Sequence, residues 1–328
     1  MQHAVETVPN RKFGYCTDDV ARAFMVALAH SRLAPSERVS LRLASNYLSF
    51  LQHAQLDDGR FHNFMAYERN WTDEIGTHDS CGRAMWALGY GVANAPSGPW
   101  RRVCDTLLAR ALPSLESLEY IRSRAYAALG FAYAYAAARE PKYAGALRYL
   151  ADEILAAYDA SADPEWPWFE DILTYDNARL PEALLRAGHG LGEARYTEVG
   201  LATLKFYEGV TIENGIHVPI GNDGWYRRGE QRSRYAQQPL EAYAMVDAEL
   251  AAFEVTGDAA HFATAELALE WYHGKNSRGI PMAHGGGCYD GLGENAVNYN
   301  EGAESTLAFL AASCAMAQRR ARVLRAVR

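Results

Sequence analysis

A sixfold recurrence constrains this chain more than any other feature. Six segments each open on a polar cluster and continue as an apolar stretch rich in small residues. They begin at Thr17-Asp18-Asp19, His78-Asp79-Ser80, Arg122-Ser123-Arg124, Tyr175-Asp176-Asn177, Gln237-Gln238-Pro239 and Asn300-Glu301-Gly302-Ala303-Glu304. Anchored at positions 18, 79, 123, 176, 238 and 301, the steps are 61, 44, 53, 62 and 63 residues. Steps of that length exceed ordinary helical solenoid repeats, and their variability excludes a coiled coil. Between the six lie more charged segments with apolar residues near a 3.6 period: Ser36 to Ala54, Trp100 to Leu112, Lys142 to Tyr158, Arg195 to Tyr207 and Ala259 to Tyr272.

Helices apolar all round are buried, and one-sided helices face solvent. The alternation therefore predicts inner and outer helices, an all-α (α/α)6 toroid in a single domain over 1–328. Residues 1–16 contain Pro9-Asn10 and read as loop, so the first outer helix is missing. Either the chain is a fragment, or a partner or second copy covers that place. The tail from Gln318 extends the last inner helix or folds back. Inner helices that run in one direction gather their N-termini, with the six polar clusters, at one mouth. The long connections that open there carry aromatic and Gly-rich runs, some of which read as short hairpins.

Composition excludes several classes. The 328 residues hold 32 Lys+Arg and 40 Asp+Glu, a net charge of −8, against the cationic surface that non-specific nucleic-acid binding needs. Hydrophobic residues make up 49% of the chain, too much for a disordered one. No apolar run approaches the ~20 residues of a membrane span. Cys16, Cys81, Cys104, Cys288 and Cys314 form an odd, scattered set, which with the lack of a signal pattern fits a cytoplasmic protein.

The mouth is dominated by carboxylates and aromatic rings, which suit the hydroxyls and C–H faces of a sugar. Glycoside hydrolysis needs two carboxyl groups, one ionised and one protonated. Asp18 and Asp19 open a helix, where its dipole favours an anion, and suit a base or nucleophile. Glu170 follows Trp166-Pro167-Trp168-Phe169, whose rings would desolvate it, and suits a general acid. Asp79, Arg124, Asp176, Asn177, Gln238, Asp290 and Glu304 are candidates to bind hydroxyls. Trp166, Trp168, Trp225 and Tyr289 are candidates to stack. Structural roles compete with each of these. An Asp at a helix start often only caps it. Asp18 with Arg22, and Asp79 with Arg83, have ion-pair spacing.

No cofactor and no metal is expected. Cys16, Cys81 and Cys288 with His78 and His284 offer zinc-type donors, but at no recognised ligand spacing. Gly285-Gly286-Gly287 lacks the Lys and the strand-to-helix setting of a phosphate loop.

Four segments carry a family resemblance: Val8-Pro9-Asn10-Arg11-Lys12-Phe13-Gly14-Tyr15-Cys16-Thr17-Asp18-Asp19, Trp166-Pro167-Trp168-Phe169-Glu170, Leu173-Thr174-Tyr175-Asp176-Asn177-Ala178-Arg179-Leu180-Pro181 and Asn300-Glu301-Gly302-Ala303-Glu304-Ser305-Thr306-Leu307. In these the chain resembles the bacterial helical domain commonly found C-terminal to family 4-type glycosyltransferases. The resemblance implies an (α/α)6 toroid, one further helix upstream and a glycosyltransferase as neighbour or partner. The architecture is similar to (α/α)6 glycoside hydrolases, among them the family 76 endo-mannanases with adjacent Asp residues at the cavity. The expected function is a carbohydrate-active enzyme on an oligosaccharide or polysaccharide, a glycoside hydrolase first. The alternatives are a non-hydrolytic sugar enzyme (an epimerase using His78 or His284 as acid and base, or a phosphorylase) and a glycan-binding accessory module.

Overall fold

The computed structural model describes residues 2–326. Eleven α-helices occur among them: α1 Thr17–Leu33, α2 Arg38–Ala54, α3 His78–Asn94, α4 Gly98–Ala111, α5 Ile121–Ala138, α6 Pro141–Ser161, α7 Arg179–Leu191, α8 Ala194–Thr211, α9 Pro239–Thr256, α10 Ala259–Glu270 and α11 Ala303–Ala326. The odd-numbered helices are those of the six repeats. The even-numbered ones are the more charged segments between them.

Their ends follow local chemistry. Thr77 caps α3 by accepting from the Ser80 N–H, and Asp258 caps α10 by accepting from the Ala260 N–H. Pro141 opens α6, where its missing N–H costs nothing. Gly257 closes α9 in the left-handed region (φ 71°). The fourth repeat starts its helix later than its polar cluster suggests, at Arg179. Asp176 is itself left-handed (φ 50°) and turns the chain before the helix can begin.

All strands are two residues long and pair antiparallel: β1 Ala4–Val5 with β2 Val8–Pro9, β3 Tyr15–Cys16 with β4 Phe64–Met65, β5 Ile172–Leu173 with β8 Tyr226–Arg227, β6 Ile212–Glu213 with β7 Ile216–His217, β9 Ala283–His284 with β10 Gly287–Cys288, and β11 Gly291–Leu292 with β12 Val297–Asn298. The N-terminal stretch expected as loop thus contains β1, β2, a 3-10 turn at Arg11–Phe13 and β3. Pieces this short leave no periodicity to read.

The helices group into two compact units. The first comprises Asn10–Ile154 and Arg186–Glu193; the second comprises His3–Pro9, Leu155–Leu185 and the chain from Ala194. In the first, α1, α3 and α5 run parallel, and small residues set how closely they approach. A Cβ on Gly89 would lie 2.0 Å from the Gly130 carbonyl oxygen, and one on Gly82 would lie 2.4 Å from that of Ser123. In the second unit α9 is buried along most of its length. The antiparallel α10 covers it, with Phe253 against Phe262 and the Tyr272 hydroxyl donating to the Pro239 carbonyl. No described helix is long and apolar enough to cross a membrane.

Candidate active-site clusters

In the first unit, Asp18 and Asp19 occupy the first turn of α1, and the cap position belongs to Cys16. Asn63 fixes this turn: its carbonyl accepts from the Thr17 N–H at 2.8 Å and its side chain from the Asp18 N–H at 3.3 Å. Asp18 pairs with Arg22 at 3.4 Å, as its spacing predicts, and with Arg83 of α3 at 2.8 Å. Asp19 pairs with Arg22 at 3.2 Å. Arg83 also donates to the Tyr126 hydroxyl of α5 at 2.7 Å. Two nearly buried guanidinium groups therefore balance the adjacent carboxylates and tie three helix starts together. Asp79 lies half-buried in the first turn of α3, behind the Thr77 cap. Arg124 donates to the Leu118 carbonyl and pairs with Glu153, which commits its charge to the protein. The first unit also contains a cluster that sequence reasoning missed. His62 stacks on Trp71 at 4.7 Å, and its Nδ1 lies 2.9 Å from the Asp73 carbonyl.

In the second unit the Trp166-Pro167-Trp168-Phe169 run plugs the core. Trp168 is fully buried among Phe169, Phe206 and Tyr207, so neither ring face is open to a sugar. Trp166 is buried against Phe206 and Tyr226, and its Nε1–H donates to the Glu170 carbonyl. That bond fixes the Glu170 backbone and leaves the side chain half-buried. Trp225, left-handed at φ 56°, is half-buried. Gln238 is half-buried at the start of α9, while its neighbour Gln237 is fully buried and bridges Trp271 and Ser277.

Asp176 and Asn177 belong to a closed network. Arg179 is buried with Asp176 at 3.3 Å, Glu182 at 2.6 Å and Asp247 at 2.8 Å. Burial opposes its charge, but Glu182 and the other anions outweigh burial and hold it well above the ordinary guanidinium range. The Asp176 N–H and the Asn177 side-chain amide both donate to Glu241, which also accepts from the Tyr207 hydroxyl. These side chains hold the turn before α7.

The open cluster is at His284. Its Nε2 lies 2.9 Å from Glu301 Oε1, and no described residue bonds its Nδ1. The imidazole is 44% exposed, whereas Glu301 is 7% exposed. A carboxylate beside one nitrogen of a histidine favours the tautomer that carries its proton there, which leaves the other nitrogen to accept. Tyr289 packs on the imidazole at 4.6 Å, and Tyr299 meets Tyr289 edge-on. Asp290 accepts from Ser305 and Asn300, which fixes the following loop. Glu304 is half-buried in the first turn of α11.

The three glycines after His284 explain themselves here. Gly285 (φ 54°) and Gly286 (φ 91°) form the tip of the β9–β10 hairpin in the region that suits glycine. A Cβ on Gly287 would lie 2.0 Å from Glu301 Oε2. Two glycines turn the hairpin, and the third makes room for the carboxylate behind His284. This triplet was the sequence signal for the dyad.

The thiols do not gather into a zinc site. Cys16 bonds to Asn63, Cys81 to the Phe61 carbonyl and Cys288 to the Tyr289 carbonyl, and burial pushes all three thiols up. All five cysteines are free.

No protein-family model matches the chain, and no curated protein matches it in sequence. Solved structures do share its fold. A sugar epimerase from a ruminal bacterium matches at a TM-score of 0.72 and 12% identity, over 96% of this chain and 90% of that one. The cellobiose 2-epimerase of Spirochaeta thermophila DSM 6192 matches at 0.72 and 12%, over 99% and 90%. A GH76 α-mannanase of Bacteroides thetaiotaomicron matches at 0.66 and 11%, over 94% and 88%. The fold is all-α, of the (α/α)6-toroid class.

Proposed function

We propose that this chain is a carbohydrate-active enzyme that moves a proton on a reducing sugar, an epimerase or isomerase. The observation that carries this reading is the His284–Glu301 dyad, a half-exposed imidazole on a hairpin beside a nearly buried carboxylate for which Gly287 makes room. The names of two solved structures of the same fold, a sugar epimerase and a cellobiose 2-epimerase, support it.

In the open-chain form of such a sugar, the proton on the carbon next to the carbonyl is acidic. His284 Nδ1 takes that proton as the C–H bond breaks, and the electron pair moves onto the carbonyl oxygen as an enediolate. Glu301 stabilises the imidazolium that forms. Inversion follows when the enediolate turns its other face to the imidazolium before the proton returns to the same carbon; returning the proton to the neighbouring carbon isomerises the sugar. Tyr289 flanks the imidazole and narrows the approach to it. The test is turnover of reducing disaccharides and hexoses in deuterated water. Deuterium on the carbon next to the carbonyl supports the reading, and its loss in His284→Gln assigns the base.

Hydrolysis is the second reading, favoured by the adjacent Asp18 and Asp19 held by Arg22 and Arg83 and by the GH76 α-mannanase of the same fold. It assigns base or nucleophile to Asp18 and Asp19 and the general acid to Glu170. Cleavage of an oligosaccharide that is lost in Asp19→Asn and in Glu170→Gln would support it. A glycosyltransferase as functional neighbour remains part of the proposal on the family resemblance, with co-purification as its test.

A further inference from the structure

Apart from the dyad, the described residues of the second unit include one group of metal-type donors that the sugar chemistry does not use. Glu208 of α8, Glu249 of α9 and His261 in the first turn of α10 each bring one donor atom to within 4.8 Å of the others. His261 Nδ1 lies 2.7 Å from Glu249 Oε2 and 3.8 Å from Glu208 Oε1. Zinc bonds to nitrogen and oxygen are ~2.0–2.2 Å long, which puts two donors of a tetrahedral site roughly 3.3–3.5 Å apart. The two separations here bracket that value.

An independent observation concerns Glu249 itself. Its side chain is fully buried, and its Oε1 has no hydrogen-bond partner. A buried carboxylate oxygen without a donor is costly. The neighbouring carboxylate of Glu208 cannot supply one, because two carboxylates meet favourably only around a proton or a cation.

We propose that Glu208, Glu249 and His261 bind a divalent transition-metal ion of the zinc type, which fastens α8, α9 and α10 together. An imidazole donor selects zinc-like ions over magnesium and calcium, which take oxygen-only shells. Water completes the ion's coordination. The proposal stands apart from the sugar chemistry.

The experiment uses the full chain, stripped with chelator and titrated with zinc alone by calorimetry and thermal melting. Cobalt serves as a spectroscopic stand-in. One zinc per chain, a raised Tm, and a visible cobalt spectrum of four-coordinate type are expected. Magnesium and calcium at the same concentration should leave Tm unchanged. His261→Ala and Glu249→Gln should each weaken zinc at least tenfold, and His261→Ala should alter the cobalt spectrum. The partly exposed His261 keeps the test informative if the buried Glu249 variant does not fold. Absence of zinc binding by the wild-type chain, or zinc binding unchanged in His261→Ala, would overturn the proposal.

Discussion

Two clusters of the second unit use charged side chains to opposite ends. Around Arg179, three carboxylates surround one guanidinium, every partner is buried or nearly so, and the network is closed. Around His284, one carboxylate stands behind one imidazole, and the far nitrogen is open. A closed network of buried ions specifies geometry, and little is left over to act on a substrate. An open dyad adds little to stability and keeps one atom available for chemistry. The adjacent pair Asp176-Asn177 belongs to the closed kind.

The largest effect should come from breaking the closed network. Arg179→Met leaves Asp176, Glu182 and Asp247 without their buried cation, and a stability loss of about 3–5 kcal/mol is expected. Chemical denaturation measures it, and a loss under 1 kcal/mol would contradict the assignment of Arg179 as scaffold. His284→Gln should do the reverse. Stability should stay within about 0.5 kcal/mol of wild type, as for other surface substitutions. Turnover should fall roughly 10²–10⁴-fold.

Gly287→Ala sharpens the comparison, because it disturbs the dyad without replacing either member. The added methyl collides with Glu301 Oε2, so the carboxylate must shift away from His284. A displacement near 1 Å is expected to cost up to ~10²-fold in kcat. Gly286→Ala, at the hairpin tip, meets no neighbouring atom, so its effect should appear mainly in stability. Equal kcat losses in the two variants would mean that hairpin shape alone matters.

The smallest effect concerns pH. His217 is fully buried, neither ring nitrogen has a hydrogen-bond partner, and burial lowers it to about 3. An unfolded histidine titrates near 6.5. Between those values the unfolded chain binds a proton that the folded chain refuses, so stability declines as pH falls from 6.5 toward 3. His217→Leu should flatten that part of the Tm–pH curve and leave the pH profile of turnover unchanged.

Helices were readable because burial repeats with a period. Ala-rich inner stretches and one-sided outer ones set all eleven, and Gly257-Asp258 marked a boundary that the structure keeps. The ion pair of Asp18 with Arg22 was legible from i, i+4 spacing; the reach of Arg83 to Asp18 was not, because it joins two helices. Tryptophan identity gave no sign of burial, so Trp168 reads as a stacking platform in the sequence and as core in the structure. His284 and Glu301 stand 17 positions apart, and only the fold brings them to 2.9 Å.

The most direct test of the central claim is solvent exchange. The full chain is incubated with reducing sugars in deuterated water, and the carbon next to the carbonyl is followed by proton NMR. The account expects the wild-type chain to place deuterium there and the His284→Gln chain to place none. Glycosidic cleavage without exchange, undiminished in His284→Gln and abolished in Asp19→Asn, would contradict it and establish the hydrolytic reading instead.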